Sequence, residues 1–185
     1  MTKNNKIDIR IFLFGDSLVG KTTLIKNFYD SSDFINNKDY CHLKQFIISN
    51  EIILDLKFFD FHEDGLFDIN SFITQINQAN VLFLLFNLND TNSFDKLFLW
   101  FEEIIKKCDL NNKNLILIGN ERYNFESEIK YYKANELINK FSGLYFEINI
   151  LNEKWKIKEI IYNIIINTKK YIYKKFFHLI LKYKL

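Results

Sequence analysis

A chain of 185 residues with 48% hydrophobic content has the size and apolar content of one globular domain, which argues against extended disorder. Its net charge of +2 is too small to support nucleic-acid binding. No apolar run approaches the ~20 residues that a bilayer span needs, and Met1 to Lys6 lack the apolar core of a signal peptide. These features predict a cytoplasmic protein, at most peripheral to a membrane. Cys41 and Cys108 lack metal-ligand spacing and read as free thiols in a reducing compartment; His42 beside Cys41 does not make a zinc site.

In chain order, residues 7–14 alternate and then turn wholly apolar, as a buried strand does. Gly15-Asp16-Ser17-Leu18-Val19-Gly20-Lys21-Thr22 follows and fits G-x-x-x-x-G-K-[ST], the phosphate-binding P-loop. That chemistry needs backbone N–H groups curled around phosphate oxygens, a lysine reaching the β- and γ-phosphates, and a hydroxyl for Mg²⁺. Two of only five glycines in the chain occupy the two positions that demand glycine. Leu24, Ile25 and Phe28 then carry a helical period, so the loop sits where a helix N-terminus receives phosphate.

Residues 30–41 read as a long polar loop, and 43–48 with 52–59 as a hairpin turning at 49–51. Loop and helix signals fill 61–79. The continuous apolar run 81–86 predicts a strand buried on both faces. An amphipathic helix spans 90–108, with Phe94, Leu97, Phe98, Phe101, Ile104 and Ile105 on its apolar side and Asp90 or Thr91 as its cap. A strand at 115–118, a helix at about 128–141, a strand at 144–148 and a helix at about 153–168 complete the order. Alternating strands and helices beyond a hairpin imply an α/β fold with a mostly parallel sheet covered on both faces. Ligands of such sheets bind at the carboxyl ends of the strands, where the P-loop falls.

The loop and this order of elements resemble the small GTPases of the Ras superfamily, most of all the Rab branch, over residues 6–168. The likeness is carried by Gly-Asp-Ser-x-Val-Gly-Lys-Thr at 15–22 and by Phe58-Phe59-Asp60. It continues in Asn89-Asp90-Thr91-Asn92-Ser93-Phe94 with Trp100, and in Leu117-Ile118-Gly119-Asn120. The resemblance implies the Ras-like P-loop NTPase fold, six strands with one antiparallel hairpin strand. It implies GTP or GDP with Mg²⁺, held by Gly15, Asp16, Ser17, Leu18, Val19, Gly20, Lys21, Thr22 and Thr23 together with Asp60 and Asn120. Thr22, and Asp60 through water, would hold the metal. It further implies a monomer that recruits effector or regulator proteins through about 34–42 and 61–70, as in vesicle trafficking.

Other motifs of the family are altered. Asp-Thr-Ala-Gly-Gln becomes Asp60-Phe61-His62-Glu63-Asp64, replacing the γ-phosphate-sensing Gly and the water-orienting Gln. Gly65 could supply a flexible amide, but two residues late. No threonine lies between Thr23 and Thr74, and Asn37 falls nearest the switch I threonine. Asn-Lys-x-Asp becomes Asn120-Glu121-Arg122-Tyr123, losing the Asp that accepts two guanine N–H groups; Arg122 reads as a surface residue. Ser-Ala-Lys falls on Asn149-Ile150-Leu151. No catalytic residue can be named, His62 and Asp64 being weak candidates for a general base. The expectation is slow or absent hydrolysis with reduced guanine preference. The alternative is a pseudo-GTPase module that holds nucleotide constitutively or not at all. A small-molecule kinase would spend more arginines than Arg10 and Arg122, the two this chain owns.

Residues 169–185 hold six lysines and no acid, so the positive excess of the whole chain lies in this tail. Ile172, Phe176, Leu179, Ile180 and Tyr183 form one helical stripe. Phe177 and Leu181 spoil the polar face, which favours a final helix packed on protein over weak peripheral contact with anionic lipid. With no cysteine after Cys108, no prenyl anchor is expected.

Overall fold

The computed structural model describes residues 5–29, 41–49, 52–60, 72–122, 129 and 131–168. Asn37, residues 61–71, Tyr123 and the tail 169–185 lie outside the described residues, as does most of the 34–42 segment.

Strand β1 (Asn5–Phe14) leads into helix α1 (Lys21–Phe28), and β2 (Cys41–Ser49) into β3 (Ile52–Asp60). There follow α2 (Ile73–Gln78), β4 (Val81–Asn87), α3 (Thr91–Lys107), β5 (Asn114–Asn120), α4 (Tyr131–Asn139), β6 (Leu144–Ile148) and α5 (Lys154–Thr168). The strands form one sheet in the order β2-β3-β1-β4-β5-β6, antiparallel between β2 and β3 and parallel elsewhere. The strand order reverses around β1, so the loop leaving β1 stands at the switch point where open α/β sheets bind ligands. Six strands with one antiparallel pair and helices on both faces are the expected Ras-like architecture.

Side-chain alternation along the strands builds two cores. Ile9, Ile11 and Leu13 of β1 and Val81, Phe83 and Leu85 of β4 face α1 and α5, meeting Leu24, Ile25, Ile157 and Ile161. Phe12, Phe14, Leu82, Leu84 and Phe86 face the other way, onto Ile76, Phe94, Leu97, Phe101 and Ile138 of α2, α3 and α4. Burial on both faces explains why β4 reads as a continuous apolar run.

Two differences from expectation have physical causes. Strand β5 runs past the apolar 115–118 to Asn114 and Asn120, because its register with β4 continues from Val81↔Asn114 to Asn87↔Asn120. Helix α3 buries Phe94, Leu97, Phe101 and Ile104, a stripe too narrow for Phe98, which lies exposed at its edge. Of the two possible caps, Asp90 serves, its side chain accepting from Asn92 N–H at 3.0 Å. Cys41 and Cys108 are both free thiols. No helix among the described residues is long and apolar enough to cross a membrane.

Candidate functional site

The loop after β1 is shaped by two glycines at which a side chain would be strained. At Gly15 (φ +150°) a Cβ would stand 2.2 Å from the Leu85 carbonyl oxygen, so the loop leaves β1 in close contact with β4. At Gly20 (φ +108°) it would stand 2.8 Å from Asn120 Nδ2. Leu18 takes φ +61° with a side chain 79% exposed. A left-handed conformation costs a non-glycine residue roughly 1–2 kcal/mol, and so exposed a side chain regains little by burial.

Lys21 is buried and folds back across the loop, its Nζ donating to Gly15 O at 2.7 Å and Asp16 O at 2.8 Å. Helix α1 begins at Lys21 with no side chain capping its N-terminus, unlike α3 with Asp90. The first N–H groups of a helix have no partner within it, and with the helix dipole they favour an anion there.

Thr22 Oγ1 donates to Asp60 Oδ2 at 2.5 Å. Asp60 is the buried last residue of β3, in register with Leu13 of β1, so adjacent strand ends bring the hydroxyl and the carboxylate together. This pair of hard oxygen donors fits Mg²⁺, which keeps several waters and takes one or two protein oxygens beside phosphates. The described residues contain no cluster of three or more His, Cys, Asp or Glu.

At the far end, buried Asn120 ties three segments. Its Nδ2 donates to Val19 O of the loop at 2.9 Å, and its Oδ1 accepts from Ile150 N–H at 3.2 Å. Gly20, Thr23, Asn120, Arg122, Asn149, Ile150 and Leu151 line a pocket there. Arg122, expected only as a surface residue, is exposed and also borders this pocket. Asn149 is occupied as a turn former: its Oδ1 accepts from Leu151 and Asn152 N–H at 3.1 Å, and its own N–H donates to Glu153 at 2.9 Å. No described residue lining the pocket carries a carboxylate.

One participant could not be found from sequence. Lys96 of α3 reaches Asp16 Oδ2 at 2.8 Å across 80 positions, while Asp16 Oδ1 accepts from Ser17 N–H at 2.8 Å. Partial burial pushes the Asp16 carboxyl up, but the Lys96 ammonium and the Ser17 N–H outweigh it and leave the group below its usual range.

Strand, glycine loop, helix and strand-end carboxylate, arranged at the switch point of a mostly parallel sheet, define the P-loop class of α/β proteins. The Ras family model matches residues 10–170. The chain is similar to the "Rho-related protein racO" of Dictyostelium discoideum (28% identity over 80% of this chain and 56% of that protein). It is also similar to the "Ras-related protein RabP" of the same organism (26%, over 88% and 68%) and "Ras-related protein RabO" (29%, over 65% and 56%). The chain thus spans little more than half the length of two of these relatives. It belongs to the Ras family of small GTP-binding regulators, whose members generally bind GTP or GDP with Mg²⁺ and effector or regulator proteins. Likeness to the Rab-named proteins, at 26% and 29%, is about the same as to the Rho-related one at 28%, so any Rab kinship is distant.

Proposed function

We propose that this protein is a nucleotide-binding regulator that keeps the phosphate and Mg²⁺ half of the family's site, hydrolyses GTP slowly or not at all, and discriminates weakly between bases. The observation that carries the reading is the Thr22–Asp60 pair at the mouth of a wrapped loop whose lysine is buried and whose following helix has no side-chain cap. In it, Gly15 to Thr23 hold phosphates through backbone N–H groups and the Lys21 ammonium, and Thr22 and Asp60 hold the ion. Bound Mg²⁺ would supply charge neutralisation to the phosphate oxygens. Asn120 keeps the base pocket joined to the loop.

Weak discrimination follows from Tyr123 where the family carries a base-reading Asp, and from the lack of a carboxylate along the described pocket wall. Loss of one charged hydrogen-bond pair corresponds to roughly ten- to 150-fold in affinity. Slow hydrolysis follows from Glu63 and Asp64 at the Gly and Gln positions and from the lack of a switch I threonine. A domain of residues 6–168 with a basic tail at 169–185, effector contact through about 34–42 and 61–70, and a role in vesicle trafficking belong to the same reading. These last draw on the sequence and the resemblance.

Mass spectrometry of nucleotide released by denaturing the purified protein tests the reading, together with titration against GTP, ATP and XTP in Mg²⁺. Bound or titratable nucleotide with small differences among bases is expected. No bound nucleotide and no affinity at millimolar concentration would instead leave an empty interaction module, the second reading.

A further inference from the structure

Asp16 puts a negative charge inside a loop proposed to receive an anion, and the structure supplies a cation against it from a separate helix. Lys96 is delivered by a fixed support: Asp90 caps α3, and Ser93, in its first turn, accepts from Asn87 N–H at 2.9 Å and donates to Asp90 O at 2.8 Å. These bonds lock the start of α3 to the carboxyl end of β4, which is also the strand whose Leu85 carbonyl abuts Gly15. From there Lys96 Nζ stands 2.8 Å from Asp16 Oδ2. The lysine side chain is 54% exposed and the aspartate only 16%, so the pair covers its carboxylate while the ammonium meets solvent. The other carboxylate oxygen holds Ser17 N–H, and the Asp16 carbonyl accepts from Lys21. One residue therefore joins helix α3, the loop backbone and the phosphate-binding lysine.

We propose that Lys96 is a positioning residue for the phosphate loop: it neutralises Asp16 and holds that carboxylate turned toward α3, so that the loop presents an uncompensated positive field to the nucleotide phosphates. With the lysine removed, an unbalanced carboxylate near the phosphates opposes binding. This distinguishes an electrostatic role from a merely structural one, because deleting the carboxylate as well relieves the repulsion. The inference rests on the nucleotide reading of the loop, so its test carries one readout that needs no nucleotide.

The proposal is tested on the full chain with wild type, Lys96→Met, Lys96→Arg and the double variant Lys96→Met/Asp16→Asn. Hydrogen exchange at the Ser17 amide is followed without nucleotide, and mant-GDP dissociation is followed in Mg²⁺. In Lys96→Met, Ser17 exchange should quicken and mant-GDP should dissociate roughly tenfold faster. Lys96→Arg should stay near wild type. The double variant should recover most of the dissociation rate, and added salt should narrow the gap between Lys96→Met and wild type. Ser17 exchange and dissociation unchanged in Lys96→Met overturn the proposal, as does a double variant that dissociates as fast as the single one. Failure of wild type to bind mant-GDP sinks the nucleotide reading and with it the electrostatic role. Faster Ser17 exchange in Lys96→Met would in that case uphold only the hold on the loop.

Discussion

The two ends of the candidate nucleotide cleft are built from different materials. At the phosphate end, function would rest on backbone: a loop bent by Gly15 and Gly20, a helix start without a side-chain cap, and one lysine folded across. At the base end it would rest on side chains. Asn120 and Asn149 still do structural work there, one tying Val19 to Ile150 and the other closing the turn before α5. The position that would read the base holds Tyr123. A backbone cradle cannot drift without refolding the loop against Leu85 and Asn120. A base-reading side chain can be exchanged with no such penalty. On the proposed reading, structural and recognition tasks separate within one motif: Asn120 keeps the first, and Tyr123 would alter the second.

That contrast can be broken from either end, and the largest effect is expected at the phosphate end. Lys21→Ala should weaken mant-GDP binding by about a hundredfold, since it removes charged hydrogen bonds, while leaving the ratio of affinities among bases unchanged. A change in that ratio, read by competition titration, would argue that the two ends are not separable. Gly15→Ala should lower stability by about 2–3 kcal/mol in denaturant unfolding, because its Cβ meets the Leu85 carbonyl at 2.2 Å. Tyr123→Asp, acting at the base end alone, should raise preference for GDP over ADP by about tenfold or more with little effect on phosphate contacts. Smallest is Leu18→Gly, which should stabilise by about 0.5–1 kcal/mol through relief of the left-handed strain, seen as a higher unfolding midpoint. A destabilised Leu18→Gly variant would mean that the exposed leucine has a packing role.

Much of the fold was legible because burial writes itself into periodicity. The runs at 81–86 and 115–118 announced strands covered on both faces, and Phe94, Leu97 and Phe101 announced the inner face of α3. Polar strand ends left no such trace. Asn114 and Asn120 are held by pairing with β4, and Phe98 shows that an apolar residue beside a helical stripe need not be buried. In the site, the glycine pattern disclosed the loop and the strand end disclosed Asp60. Contacts made across the fold were silent: Lys96 meets Asp16 only because α3 starts beside the loop, and Asn120 crowds Gly20 only because β5 and the loop converge. Sequence spacing carries no signal for such meetings.

Whether phosphate binding is kept while base discrimination is relaxed is decided by displacing mant-GDP from the wild-type protein in Mg²⁺ with GDP, XDP and ADP. All three are expected to compete, with affinities within about tenfold of one another. A preference for GDP over ADP above about a thousandfold, or no competition at millimolar concentration by any of them, would contradict this expectation.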